Sequence, residues 1–171
     1  MSDLPKARAT GLESVLAIAA GYYHDMALRP DGTVVCWGNN SSGQLDVPSH
    51  MTNIIAIAGG AYHSMALKQD GTVVVWGSMA PPPASVTNVI AIDGGYLHSV
   101  ALRADGTVVA WGGEYGYAGA PLAGVTNCVS ISAGYYHDLG LTSDRTVVDL
   151  SSRAKENPVP ASLTNVMVCR I

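Results

Sequence analysis

The sequence of 171 residues contains no phenylalanine, and only 13% of its residues are charged. It has no run of about 18 apolar residues, the length that a transmembrane helix requires. Its first residues also lack the apolar stretch of a secretory signal. The nine Lys and Arg are scattered and the formal net charge is −4, which argues against a nucleic-acid-binding surface. We therefore expect neither a nucleic-acid partner nor a membrane partner.

The three cysteines, Cys36, Cys128 and Cys169, include no CxxC pair. Cys36 and Cys169 align with Val, Ala or Ile at equivalent points of the sequence, so we expect both to occupy small apolar positions in the core. An odd number of cysteines fits a reducing compartment, which favours a cytoplasmic location.

One segment recurs four times along the sequence. The copies read AGYYHDMALRPDGTVVCWG from Ala20, GGAYHSMALKQDGTVVVWG from Gly59, GGYLHSVALRADGTVVAWG from Gly94 and AGYYHDLGLTSDRTVVDLS from Ala133. Their histidines, His24, His63, His98 and His137, lie 39, 35 and 39 residues apart. Such a period indicates one supersecondary unit stacked on copies of itself. We predict a single array with repeats at about 12–51, 52–86, 87–125 and 126–163, and a partial fifth repeat at 164–171.

Each repeat predicts three short strands. An apolar run rich in Ile and Val, such as residues 54–58, indicates a first strand that we expect to be buried on both faces. After a Gly turn, alternating residues such as His63 and Leu67 lie on one side of a second strand. Asp-Gly, as at 70–71, supplies the positive φ of a tight hairpin, and a third strand ends at Trp. Antiparallel strands in this order, with a variable loop that has room for a fourth, are typical of a β-propeller blade. A parallel β-helix fits worse, because Asp-Gly hairpins demand antiparallel pairing.

The pattern GYxHSxALxxDGTVVAWG closely resembles the repeat of the RCC1 (regulator of chromosome condensation) family in its short bacterial form. The resemblance is carried by residues 60–67, 70–72 and 76–77, and GNNSSGQLDVP at 38–48 is similar to the family's inter-blade loop. It implies an all-β propeller, usually of seven blades, that acts as a platform for protein interactions. Family members include an exchange factor for a small GTPase and a bacterial inhibitor of β-lactamases. The exchange activity is not carried over, because no residue here matches the loops that perform it.

The sequence departs from the family pattern towards its end. In the fourth repeat Arg145 replaces the turn Gly, Asp149 occupies an apolar position, and Leu150-Ser151 replaces Trp-Gly. Residues 163–171 then restart a fifth unit with one strand. In a closed ring of four blades, this strand and the first strand would compete for one place. An intermolecular partner, an open arc and a longer chain would each resolve the competition. We expect a homo-oligomer, most simply a dimer.

The recurring histidines raise the hypothesis of a metal-dependent enzyme with a ring of His ligands. A structural role is favoured, because each His shares a strand face with Met, Val or Leu, where a buried imidazole can bridge backbone groups of adjoining strands. Asp25 and Asp138 follow His24 and His137, yet adjacent strand residues point to opposite faces. There is no nucleophile elbow and no dinucleotide fingerprint. We therefore predict no catalytic residue, no metal and no cofactor.

All eight tyrosines fall in predicted connections. Two of them, Tyr115 and Tyr117, lie in the long third loop, and the other six occupy the Gly turns: Tyr22, Tyr23, Tyr62, Tyr96, Tyr135 and Tyr136. Recurrence in successive blades would set the turn tyrosines on one rim, and Tyr is enriched at recognition surfaces. For the Tyr before each His, packing as a spacer between blades is an equal alternative, whereas a binding rim requires Tyr22, Tyr96 and Tyr135 to be substantially exposed. We predict a non-catalytic protein-binding module that uses these eight tyrosines; a glycan-binding propeller is the alternative, since aromatic rims also stack on sugars.

Overall fold

The computed structural model describes residues 14–113, 117–122, 125–150 and 159–160, which form thirteen β-strands and no helix. The strands are β1 (Ala17–Ala20), β2 (His24–Leu28), β3 (Val34–Gly38), β4 (Ile54–Gly59), β5 (His63–Lys68), β6 (Val73–Gly77), β7 (Val89–Gly94), β8 (His98–Arg103), β9 (Val108–Gly112), β10 (Tyr117–Pro121), β11 (Cys128–Ala133), β12 (Asp138–Thr142) and β13 (Val147–Asp149). Among the described residues there is accordingly no helix with the length and hydropathy that crossing a membrane requires.

The strands form four antiparallel sheets in which strand order follows chain order. Blade 1 is β1 to β3, blade 2 is β4 to β6, blade 3 is β7 to β10, and blade 4 is β11 to β13. The predicted all-β repeat is confirmed. Within the described residues only blade 3 has a fourth strand, and its first residue, Tyr117, pairs with Gly112. The assignment of Tyr117 to a loop was therefore wrong, because the chain returns along β9; Tyr115 lies outside the described residues.

Each hairpin between the second and third strands of a blade turns where the sequence predicted it. Gly32, Gly71 and Gly106 have φ values of 82°, 80° and 79°, which only glycine adopts readily. In the first of these turns the Asp31 carboxylate also accepts a hydrogen bond of 2.9 Å from the amide of Thr33. In blade 4, Arg145 takes the same conformation with φ of 68°, so the hairpin survives the loss of its glycine at a cost in strain.

The first strand of each blade lies at the centre of the array, where β1, β4, β7 and β11 contact one another in sequence. The prediction that these strands are buried on both faces is wrong. Ile55 and Ile90 are 53% and 54% exposed. Both sit where the pairing register shifts in a β-bulge, and the extra residue of a bulge escapes the ladder and points to solvent.

The hydrophobic core lies between the blades rather than within them. An aromatic or aliphatic side chain of one blade shares a cluster with side chains of the preceding blade: Trp76 with Met26, Trp111 with Met65, and Leu150 with Leu102. Trp76 and Trp111 are 6% and 2% exposed, and burial of such rings contributes several kcal/mol each, at about 25 cal/mol per Å². Trp37 of blade 1 is 36% exposed, because no described blade packs against its face. Cys36 is half-buried and Cys128 is buried, whereas Cys169 lies outside the described residues.

Candidate functional site: a tyrosine surface at the Gly turns

Six tyrosine side chains meet at the end of the array where each first strand turns into the second. We call this set the tyrosine surface: Tyr22, Tyr23, Tyr62, Tyr96, Tyr135 and Tyr136. The ring centroids of Tyr96 and Tyr135 are 4.1 Å apart in a stacked arrangement. Those of Tyr22 and Tyr135, which belong to blades 1 and 4, are 6.3 Å apart. The structure thus brings together six of the eight tyrosines that the sequence singled out.

Backbone hydrogen bonds between blades hold these turns in place. The amide of Tyr22 donates to the carbonyl of Gly60 across 3.2 Å, and the amide of Tyr96 donates to the carbonyl of Tyr135 across 3.2 Å. A Cβ atom on Gly60 would lie 2.0 Å from the ring of His63, so the turn requires glycine for lack of space. The tyrosines therefore project from a backbone that adjoining blades fix.

Exposure differs between members of the tyrosine surface. Tyr22, Tyr23, Tyr135 and Tyr136 are 58%, 54%, 42% and 46% exposed. Tyr96, which we expected to be substantially exposed, is half-buried because its ring lies between Tyr62 and Tyr135. In blade 2 the first tyrosine of the turn is replaced by Ala61, and a cavity of about 270 Å³ lies among Ala61, Tyr22, Tyr96, Tyr135 and the turn glycines.

The hydroxyl groups of this surface interact with one another. Tyr62 and Tyr96 have their hydroxyl oxygens 3.4 Å apart. This hydrogen bond, with a smaller effect of burial, raises the pKa of Tyr62 to about 12. The pKa of Tyr135 is also raised, chiefly through a hydrogen bond with Tyr96. At neutral pH both phenols are protonated, so they offer neutral rings and hydroxyl donors rather than charge.

Three of the recurring histidines each form a hydrogen bond with a side chain of the next blade, and we call this set of three contacts the histidine relay. His24 Nε2 lies 2.8 Å from Ser64 Oγ, His63 Nε2 lies 3.0 Å from Ser99 Oγ, and His98 Nε2 lies 2.8 Å from Asp138 Oδ1. Because Ser64 Oγ donates to the Gln44 carbonyl at 2.8 Å, it accepts the proton on His24 Nε2. The expected burial holds for these three histidines, but their partners are side chains rather than backbone groups. His137 is exposed, contrary to expectation, because no described blade lies beyond blade 4.

Burial disfavours the protonated forms of His63 and His24. It lowers the pKa of His63 from 6.5 to about 4, with a further contribution from His98 and His24. It also lowers the pKa of His24, against an opposing effect of Asp25. No group of three or more His, Cys, Asp or Glu within the described part of the chain could hold a metal ion.

Sequence reasoning missed the partners of these histidines. Ser64, Ser99 and Asp138 each follow a repeat histidine directly, and we considered them only as neighbours of that histidine. Adjacent strand residues point to opposite faces, so Ser64, Ser99 and Asp138 point away from the side of their own histidine and towards the preceding blade. Each contacts the histidine of that preceding blade. The recurrence of Ser or Asp at this position was the available signal.

Asp93 is a second residue that the sequence did not single out. It stands where the other repeats have Ala or Ser, and its carboxylate accepts hydrogen bonds of 2.8 Å from the amides of Gly94 and Ala133. It therefore ties blade 3 to blade 4 beside the central cavity. Burial raises its pKa, although the two amide donors oppose this effect.

The sequence matches the family described as "Regulator of chromosome condensation (RCC1) repeat" three times, over residues 15–44, 54–80 and 89–116. Each match covers a blade with its His, Asp-Gly turn and Trp. The chain belongs to the RCC1 repeat family. No curated protein matched the sequence.

Solved structures share the propeller fold of this RCC1-repeat chain. The ectodomain of the receptor kinase CR4 from Physcomitrella patens matches at 26% identity and a TM-score of 0.73, over 86% of this chain and 44% of that one. The ectodomain of the receptor kinase ACR4 from Arabidopsis thaliana matches at 23% identity and a TM-score of 0.67, over 81% and 50%. Yeast RCC1 (Prp20), solved with Kap60 bound, matches at 19% identity and a TM-score of 0.66, over 79% and 43%. The chain thus spans half or less of the length of these proteins.

Proposed function

We propose that this RCC1-repeat array is a protein-binding module without catalytic activity, and that it holds its partner on the tyrosine surface. The observation that carries the proposal is the cluster of Tyr22, Tyr23, Tyr135 and Tyr136, four adjacent rings that are each more than 40% exposed. Exposed Tyr offers a large contact area with few rotatable bonds, which is why it recurs in recognition surfaces. Tyr115 and Tyr117 remain part of the proposed set on the sequence argument alone.

Two further observations support a binding role over an enzymatic one. His24, His63 and His98 are 2%, 0% and 4% exposed and bond the next blade through Nε2, so these imidazoles belong to the scaffold and are closed to a substrate. Yeast Prp20, which shares the fold, has been solved with the protein Kap60 bound. That likeness is one of fold, so we take from it the class of ligand and not the partner.

A photo-crosslinking amino acid at Tyr22 tests the proposal, with the same amino acid at Ile90, on a bulge at the far end of blade 3, as the matched control. We expect a discrete protein adduct at Tyr22 that is absent at Ile90. With the partner identified, Tyr22→Ala/Tyr135→Ala should weaken binding by roughly 2 kcal/mol or more per central residue. Unchanged affinity would remove the tyrosine surface from the interface. Binding of the wild-type chain on a glycan array, lost in the same double variant, would favour the glycan-binding alternative.

We also propose that the chain is a single repeat array that self-associates, most simply as a dimer. The support is the apolar face of blade 1, where Ile18 is 77% and Trp37 36% exposed. Their counterparts in blade 2, Ile57 and Trp76, are 9% and 6% exposed because blade 1 covers them. Light scattering over a concentration series tests this: a single 17.7 kDa particle at every concentration would exclude self-association.

A further inference from the structure

The histidine relay follows one rule through the array. The histidine of each blade forms a hydrogen bond with one residue of the next blade, and that residue directly follows the next blade's histidine. The pairs are His24 with Ser64, His63 with Ser99, and His98 with Asp138. Four blades contain four donors and four acceptors, but only three interfaces lie between them. The rule therefore leaves one histidine, His137 of blade 4, and one acceptor, Asp25 of blade 1. Both are exposed, and among the described residues neither side chain has a hydrogen-bond partner.

The apolar packing of the blades leaves the same two faces uncovered. Leu139 of blade 4 is 37% exposed, whereas Met26, Met65 and Val100, which occupy the equivalent position, are 0% exposed. Trp37 of blade 1 is 36% exposed, against 2% for Trp111 in blade 3. The open face of blade 4 thus carries His137 and Leu139, whose counterparts in inner blades contact the following blade. The open face of blade 1 carries Asp25 and Trp37, whose counterparts contact the preceding blade.

The two faces do not meet within the described part of the chain. Tyr22 and Tyr135 bring blades 1 and 4 together at the tyrosine surface, with ring centroids 6.3 Å apart. Asp25 and His137, each within three residues of one of these tyrosines, nevertheless remain exposed. A second copy of the chain would supply both missing halves, with its blade 4 face against blade 1 and its blade 1 face against blade 4.

We propose that copies of this chain associate head to tail, so that His137 of one copy donates a hydrogen bond to the carboxylate of Asp25 of the partner subunit. Leu139 then packs against Trp37 of the partner subunit, as Met65 shares a cluster with Trp111 within the chain. The pairing repeats the His98–Asp138 contact, which also joins an imidazole to a carboxylate. Two such contacts related by a two-fold axis close a dimer. This inference rests on the proposed self-association and adds its faces, its direction and its polar pair.

The test uses two charge variants and their mixture, each measured by sedimentation equilibrium. Asp25→Arg removes the acceptor, and His137→Asp places two carboxylates opposite each other. We expect each variant alone to weaken the dimer by about tenfold or more, because a buried charge is left unpaired at the interface. Gln69→Arg, an exposed change on the hairpin of blade 2, should leave the dimer unchanged. Circular dichroism at a concentration low enough for the wild-type chain to be monomeric should give one melting temperature for the wild-type chain and all three variants, since these side chains are exposed in the single chain.

Mixing the two weakened variants gives the decisive result. Each pair of unlike copies contains one His137–Asp25 contact and one Asp–Arg contact, so an equimolar mixture should form a heterodimer near wild-type affinity. A wild-type dimer that neither variant affects would leave self-association standing and overturn these faces. A dimer that Asp25→Arg weakens but His137→Asp leaves unchanged would indicate a symmetric contact between two blade 1 faces, and would also overturn the pairing. A wild-type chain that stays monomeric would remove the proposed self-association and this inference together, and leave the tyrosine surface untouched.

Discussion

The indole nitrogen of Trp76 donates a hydrogen bond to the carbonyl oxygen of Gln44 across 2.9 Å. Gln44 lies in the loop that follows blade 1 and is fully buried, so a connection rather than a strand satisfies the polar atom in the core of the first interface. The loop that follows blade 2 contains fewer polar residues than the loop that follows blade 1. In it Met79 lies against Gly112, the position that Gln44 takes against Gly77 in the first loop. Among the described residues, the indole nitrogen of Trp111 has no hydrogen-bond partner.

This difference predicts unequal costs for one substitution in two equivalent places. Trp76→Phe breaks a hydrogen bond in a buried interface, whereas Trp111→Phe removes a nitrogen that has none. Both lose apolar area, but we expect Trp76→Phe to lower the free energy of unfolding by about 1 kcal/mol more than Trp111→Phe. Urea unfolding of the two variants measures the difference. Equal costs would mean that the Gln44 contact does not contribute to stability.

The buried imidazole of His63 makes the fold sensitive to acid. Its pKa is about 4 in the folded chain and near 6.5 when exposed on unfolding, so the unfolded chain takes up the proton first as the pH falls. The stability that the neutral ring provides is fully present above about pH 6.5 and is lost as the pH falls through about 4, a loss approaching roughly 3 kcal/mol. The raised pKa of Asp93 acts in the opposite sense. The folded chain favours the protonated carboxyl, so the contribution of Asp93 to the free energy of unfolding is lost as the pH rises.

His63→Gln isolates this effect. Glutamine keeps a donor and an acceptor near Ser99 but takes up no proton, so the variant should lose less stability than the wild-type chain between about pH 7.5 and pH 5. Thermal unfolding at several pH values measures the two slopes. His50→Gln, in an exposed loop, is the matched control for the substitution itself. Parallel slopes for His63→Gln and the wild-type chain would show that another group controls the acid response.

The turn glycines offer a matched pair in which only the neighbouring histidine differs. A Cβ atom on Gly60 would lie 2.0 Å from the His63 ring, and one on Gly134 would lie 2.7 Å from the His137 ring. His63 is 0% exposed and bonded to Ser99, so it has nowhere to move, whereas the exposed His137 can rotate away. We expect Gly60→Ala to destabilise by about 2 kcal/mol or more, and Gly134→Ala by clearly less. Chemical denaturation decides this, and similar losses would contradict the steric role of His63.

Much of a blade is visible in its own sequence, because the signals that define it are local. The Asp-Gly turns and the alternation of His63, Met65 and Leu67 specify a hairpin and a buried face without reference to other blades. The relay partners are different, since His24 and Ser64 are 40 residues apart and meet only when two blades stack. Exposure of Trp37 and Leu139 also depends on which neighbours a blade has, and at these two positions the end blades carry the same residue types as the inner ones. The fold was therefore predictable, whereas the contacts between blades were not.

The last prediction separates binding from scaffold within the tyrosine surface. Tyr96 is half-buried, stacks on Tyr135 and shares a hydroxyl contact with Tyr62, while Tyr22 is 58% exposed. Tyr96→Ala should destabilise the chain by about 1 kcal/mol or more, because it removes aromatic contacts from both neighbours, whereas Tyr22→Ala should stay within about 0.5 kcal/mol of the wild-type chain. Differential scanning fluorimetry with urea titration measures both. A Tyr22→Ala variant as unstable as Tyr96→Ala would assign Tyr22 to the scaffold, and partner binding lost in such a variant would then reflect unfolding rather than a lost contact.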